Sequence, residues 1–387
     1  MATRALFAPA PTAMAVGLER LLAPMSVAAF AERHWGRRPC RLRAQDAECV
    51  RGMLSIADVD RLAAFALSDG GYALLAPGDA TSAERRAAAP RPDVRALSRA
   101  VGRGRALVVY ELERRWAPAA RLASRVSRDL AHPVSVDLVL APRAFGGARD
   151  ASRAQVFVLQ VEGESRWAAA SPSSTMALRP GGVLYLPART PAVWSTGDAT
   201  HTLHLELRVP AFTWKDLLEE ALRDRVRQDE SLRRAVPAGE GEVEARADRL
   251  RAHLVETLDA ARATETLHHR LSQQRAPLPS GHFRDLERAD HIGPTTRLYV
   301  REGGMPYLDA DGETVALRFG ACEQRAPRHD AVIEAFHYIL DRPRFAVSEL
   351  PDGLGEESKV RLCRHLVRRG FLGLEPARGA SGEGGAA

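Results

Sequence analysis

The sequence predicts a mainly β chain with appended helices: a closed antiparallel barrel, then a helical pair, then a small mixed region of strands and helices. Three observations carry that prediction. Short β signatures separated by Gly/Pro turns crowd into residues 133–208. After Pro210 the apolar spacing changes from two to three and four. From Thr296 short strands return, now alternating with helices.

Taken in order, Met1 to Leu18 is Ala/Pro-rich with a single Arg4 and reads as a frayed lead-in rather than a signal peptide. Ser26 is a good N-cap, and Val27, Phe30 and Trp35 follow at roughly helical spacing until Gly36-Arg37-Arg38-Pro39 ends the helix. His34 packs or caps that helix end. Residues 56–66 and 117–131 read as amphipathic helices, and Thr81 to Asp93 as a loop. Pro133 to Ala141 alternates and is β-branched, a strand; Pro142 to Gln155 is small and polar. The apolar run 156–161, the run 182–186 and the period-two stretch 200–208 complete the strand set. Residues 213–235 and 243–274 form the helical pair, broken at Pro237 to Gly241, with His268-His269 a solvated pair on the second helix. Strands over 296–301 and 314–319 flank a turn at Asp309-Ala310-Asp311-Gly312. Helices over 330–340 and 356–369 follow, the second closed by Gly370, and residues 376–387 form a disordered tail.

At 387 residues the chain exceeds one typical core and points to two or three domains. Hydrophobic residues are 45% and charged residues 27%, as in an ordinary soluble globular protein. The net charge of +6 is modest and interspersed, and nearly all the positive charge is arginine, Lys215 and Lys359 being the only lysines. A GC-rich codon bias explains that excess, so charge alone does not call for nucleic acid. Cys40, Cys49, Cys322 and Cys363 are scattered and form no disulfide framework or zinc motif. No stretch approaches the roughly 20 apolar residues of a membrane span. A cytoplasmic protein is expected.

Two strings are more specific. The first is Val156-Phe157-Val158-Leu159-Gln160-Val161-Glu162-Gly163-Glu164-Ser165-Arg166-Trp167, and the second is Leu178-Arg179-Pro180-Gly181-Gly182-Val183-Leu184-Tyr185-Leu186-Pro187. Together they resemble the core of a JmjC-type cupin barrel of the ribosomal-oxygenase group, and the Phe30, His34-Trp35, Arg38-Pro39 opening is similar to that group's start. The resemblance covers roughly residues 18–374. It implies a double-stranded β-helix (cupin or jelly-roll) barrel over 18–210, a helical dimerisation domain over 211–292 and a winged-helix domain over 293–375. Phe345 to Leu350, the following helix and Leu366 to Leu372 look like the winged-helix unit.

The resemblance also implies a site. Oxygenases of this group hold Fe(II) with two His and one carboxylate, leaving room for 2-oxoglutarate and O₂. The His-x-Asp pair should lie shortly before Val156. Ungapped counting puts Asp150 at the His position and Ser152 at the Asp position, whereas a two-residue insertion aligns Ala148-Arg149-Asp150, keeping the carboxylate and losing the imidazole. No His lies between His132 and His201. The distal His position is Ala192, and the basic anchor for the far carboxylate of 2-oxoglutarate is Ser165, with Arg166 on the opposite strand face.

Three losses in one pocket point to a pseudoenzyme: a binding or scaffold protein with no cofactor, whose barrel holds a protein or peptide partner and whose helical pair makes a homodimer. Of His201 and His204, which alternate across a strand, His204 is the pocket candidate; Asp137 and Asp150 are candidate carboxylates, Asp150 being the one surviving metal-ligand candidate. The alternatives are an active Fe(II)/2-oxoglutarate-dependent protein or peptide hydroxylase with atypical ligands, and a non-redox cupin holding a small ligand. The basic face Arg361, Arg364, Arg368, Arg369 is expected to be solvated rather than bound to DNA.

Overall fold

The apolar runs and alternating segments of the first half become two sheets, as the computed structural model of the chain shows. The structure describes residues 17–43, 50, 52–65, 67, 71–81, 94–150, 152–169, 175–197, 201–235, 251, 255, 267, 270–271, 281–301, 306–310, 313–320 and 322–375. They fall into two units, Met1–Phe212 and Thr213–Ala387.

In the first unit, helices α1 (Leu18–Leu22) and α2 (Val27–Arg33) precede β1 (Cys40–Arg43), and α3 (Ile56–Phe65) precedes β2 (Tyr72–Leu75) and β3 (Ala80–Thr81). Next come α4 (Val94–Gly102), β4 (Ala106–Val109), α5 (Ala117–Leu130), β5 (Ser135–Ala141) and β6 (Gly146–Arg149). The strands β7 (Gln155–Gly163), β8 (Ser165–Ala169), β9 (Thr175–Leu178), β10 (Gly182–Leu186), β11 (Ala192–Thr196) and β12 (Thr202–Val209) complete it. A seven-stranded sheet runs in the order β1-β10-β7-β12-β5-β4-β2, and a five-stranded sheet in the order β3-β6-β11-β8-β9. Neighbours are antiparallel except β3 and β6.

The large sheet is a wall with two buried faces, which is why its central strands read as unbroken apolar runs. Phe157, Leu159 and Val161 of β7 join Val183, Tyr185, Leu203, Leu205 and Leu207 in a core shared with Phe30, Leu62, Leu122 and Val126 of the helices. Val156 and Val158 face the other way, packing with Leu184, Leu186, Phe145, Trp167 and Trp194 between the two sheets. That second layer is the barrel interior. Ser26 accepts a hydrogen bond from the Ala29 N–H at 3.2 Å, capping α2 as its sequence suggests.

Several strands lie where the sequence signal is weak. Residues 142–155, read as a small, polar connection, contain β6, and β11 lies beyond the second string; both are held by register, Ala192 to Ser195 pairing with Arg149 to Gly146. The loop expected over 81–93 falls almost wholly outside the described residues.

In the second unit, the helix expected over 213–235 stops earlier: α6 spans Trp214–Gln228, followed by a 3₁₀ turn at Glu230–Arg233. The helix expected over 243–274, including His268-His269, and the tail over 376–387 lie largely or wholly outside the described residues. Helix α7 (His282–Arg288) leads to β13 (Arg297–Val300), β14 (Tyr307–Ala310), β15 (Thr314–Phe319), β16 (Cys322–Pro327), α8 (Asp330–Asp341), β17 (Arg344–Ala346), α9 (Glu356–Arg368) and β18 (Leu372–Leu374). Two three-stranded sheets form, β17-β13-β18 and β14-β15-β16. Gly370, in the left-handed region at φ +80°, ends α9, and the Phe371 N–H donates back to the Leu366 carbonyl at 2.9 Å. On α9, Arg361 pairs with Glu357 at 2.7 Å, Arg364 donates to the Ile292 carbonyl at 2.9 Å, and Arg368 pairs with Asp290.

Candidate functional site

Strand β12 gives the barrel interior its polar row. Because side chains alternate, Leu203, Leu205 and Leu207 join the helix-covered core, and His204, Glu206 and Arg208 take the opposite face. All three are buried. His204 sits opposite Gln160 on β7 and Val139 on β5, and Glu206 sits opposite Val158 and Asp137. His204 is the interior histidine that the sequence singled out. His201 precedes the strand and lies 3.2 Å from Glu162.

Asp137 is also interior. It pairs with Arg208 and accepts a hydrogen bond from the Glu111 N–H at 3.0 Å. Burial pushes its carboxyl up to about 7; Arg208 and the Glu111 N–H pull down, and the nearby Glu206 and Glu113 add to the rise. Arg208 also stacks its guanidinium over Tyr110, 5.7 Å from the ring centroid. Glu206 is different. Burial raises its carboxyl, but His204, Arg149 and Arg208 together outweigh this and hold it below its ordinary value. His204 Nε2 lies 3.8 Å from Glu206 Oε1, beyond hydrogen-bond length.

The second sheet supplies the facing wall. Trp194 stacks on Trp167 with centroids 5.6 Å apart, and both set their rings edge-on to His204, at 5.1 and 5.7 Å. Trp194 has room because Gly147 stands opposite it; a Cβ there would lie 2.6 Å from the indole. Arg149, two residues along the same face, is buried opposite Ala192. Its Nη2 donates to Ser152 Oγ at 3.1 Å and to the Ala154 carbonyl at 3.3 Å. Burial lowers the Arg149 guanidinium from its ordinary value, partly countered by Glu206.

Two candidates sit differently from what their positions suggested. Asp150 is exposed at the end of β6, because alternation turns Arg149 inward and its neighbour out. Ser165 is buried as an anchor position requires, but its hydroxyl is engaged, donating to Gln160 Oε1 at 2.6 Å and accepting from Trp167 Nε1 at 2.9 Å. Ser152 is half-buried beside Arg149, and Ala192 presents a methyl to the interior. The sequence reading missed Arg149, Trp194, Glu206 and Arg208. Stepping by two from His204 yields Glu206 and Arg208, so that signal was present. Among the described residues, no group of three or more His, Cys, Asp or Glu side chains gathers closely enough to hold a metal ion.

No family model matches the sequence, and no curated protein matches it. Solved structures do match. A crystal structure of the Escherichia coli ribosomal oxygenase YcfD superposes with a TM-score of 0.59 at 19% identity, covering 91% of this chain and 98% of that one. The chain has the ribosomal-oxygenase fold. Structures of YcfD in complex with cobalt and 2-oxoglutarate and with cobalt and succinic acid superpose with TM-scores of 0.56 and 0.57, each at 18% identity and covering 92% of this chain and 99% of that one. The likeness read from the two strings is thus borne out for the fold, which is mainly β with helices. No helix among the described residues is long and apolar enough to cross a membrane.

Proposed function

We propose that this chain uses the ribosomal-oxygenase fold as a non-catalytic binding or scaffold protein. The observation that supports this reading best is the Arg149–Ala192 pair inside the barrel. Where the fold's oxygenases would bring imidazole and carboxylate to Fe(II), this interior offers a guanidinium, which has no lone pair to give, and a methyl. Ser165 offers no cation for the distal carboxylate of 2-oxoglutarate. These residues do not fit the metal or the co-substrate. Trp167 and Trp194 argue the same way, because an indole N–H only donates and brings no metal ligand to that interior.

In this reading the exterior carries the macromolecular contacts. Helix α6 exposes Trp214, Leu218 and Leu222 at 75%, 40% and 41%, four residues apart on one stripe, which suits burial across a two-fold in a homodimer. The α9 helix with the β17-β13-β18 sheet would serve as a winged-helix-like protein surface. Three of its arginines are occupied by internal partners, which favours a protein or peptide over nucleic acid. A cytoplasmic setting and no membrane partner complete the proposal.

The test is metal analysis together with 2-oxoglutarate turnover after Fe(II) addition. Sub-stoichiometric iron and no succinate above background are expected. Stoichiometric iron with turnover would establish the protein or peptide hydroxylase reading, using ligands outside the usual positions.

A further inference from the structure

Among the described residues, four interior side chains carry polar atoms with no hydrogen-bond partner: Arg149 Nη1, Trp194 Nε1, Glu206 Oε1 and both ring nitrogens of His204. Each of these residues is at most 4% exposed, so bulk solvent does not satisfy them. Geometry makes them one group. Arg149 faces Ala192, which shares its strand face with Trp194 two residues on, about 7 Å away. Trp194 meets His204 at 5.1 Å, and His204 lies 3.8 Å from Glu206. The surrounding polar groups are paired: Ser165 with Gln160 and Trp167, Gln160 with Thr202, and Asp137 with Arg208.

We infer that this cluster binds a small hydroxycarboxylate. Donors dominate it: Arg149 Nη1, the Trp194 indole N–H and at least one His204 N–H lack an acceptor, which calls for an acceptor-rich ligand. Charge selects a carboxylate: Arg149 Nη1 is a guanidinium N–H with no acceptor, and a carboxylate oxygen is the partner that suits it. Glu206 Oε1 is an acceptor without a donor, and a ligand hydroxyl next to the carboxylate supplies it. Ala192 leaves only a methyl between Arg149 and Trp194. Arg149 lies beneath the half-buried residues Ser152 and Ala154 at the end of β6.

The inference rests on the non-catalytic binding reading and names the chemistry of its interior site. Its test is thermal shift and calorimetry in EDTA, with glycolate and lactate as probes and acetate and glycolamide as controls. Glycolate at a hundredfold excess over its Kd should raise Tm by roughly 5 °C. Acetate should bind about tenfold more weakly for want of the hydroxyl, and glycolamide, which lacks the charge, should not bind. Arg149→Met should abolish the glycolate shift. Trp194→Phe preserves the ring stack and removes one N–H, and should weaken glycolate about tenfold, so the idea stays testable if the arginine variant does not fold. No glycolate shift at high millimolar concentration, equal binding of glycolamide, or ordered water alone on these atoms in crystals soaked with glycolate would overturn it. Because EDTA removes metal, a negative result here is separate from the iron and turnover assay that tests the non-catalytic reading.

Discussion

Replacing Asp137 with asparagine should change how stability depends on pH more than it changes stability itself. Burial on the interior face of β5 pushes the Asp137 carboxyl up to about 7, against 3.8 when exposed. Between those values the native state holds a proton that the unfolded chain has released. The sign follows directly. Below 3.8 both states are protonated and Asp137 carries no penalty; as pH rises the penalty grows, and above 7 it levels off. The gap of roughly three pH units at about 1.36 kcal/mol each amounts to roughly 4 kcal/mol. Urea unfolding of wild type and Asp137→Asn from pH 4 to 8 measures it. The difference between the two curves should slope by about 1.4 kcal/mol per pH unit through this range and flatten above 7. Taking the difference cancels other groups, such as His132, which burial lowers and which titrates with the opposite slope. Parallel curves for the two proteins would refute the reasoning.

Other perturbations have equally definite outcomes. Arg208→Met removes the cation that pulls the Asp137 carboxyl down, so in the same denaturation series the pH at which the Asp137 penalty levels off should rise. Gly147→Ala drives a Cβ to within 2.6 Å of the Trp194 ring and should cost about 1–3 kcal/mol, with a matching fall in Tm. Trp214→Ser combined with Leu218→Ser should leave far-UV circular dichroism unchanged while shifting sedimentation toward monomer; an unchanged sedimentation profile would remove α6 as the dimer contact. Cys363 is fully buried and its thiol is pushed up to about 12 by burial, so alkylation should label it only after unfolding.

The parts of the fold that could be read in advance were those whose own residues carry the signal. The runs 156–161 and 182–186 are apolar on both sides because both faces of that sheet are covered, and the expected strand 314–319 is β15 residue for residue. Strand β6 was invisible for the opposite reason. Gly146-Gly147-Ala148-Arg149 has little strand tendency, and the neighbouring β11 and the volume of Trp194 impose its conformation. The site divides in the same way. His204 is legible because an imidazole on an alternating strand is itself a signal, whereas Glu206 and Arg208 become legible only through the strand face they share with it. Arg149 carries no signal of its own beside the carboxylate that follows it. Asp150 had the right chemistry and the wrong parity.

One aromatic column has a mechanical consequence. Trp35, just past α2, stacks on His132 at 5.5 Å, and His132 meets Phe212 at 5.7 Å, while the Phe212 N–H reaches the same imidazole. The peptide leaving the first unit is thereby clasped to the peptide that begins it. A protease that nicks a surface turn between these two points should yield fragments that stay together on a gel-filtration column.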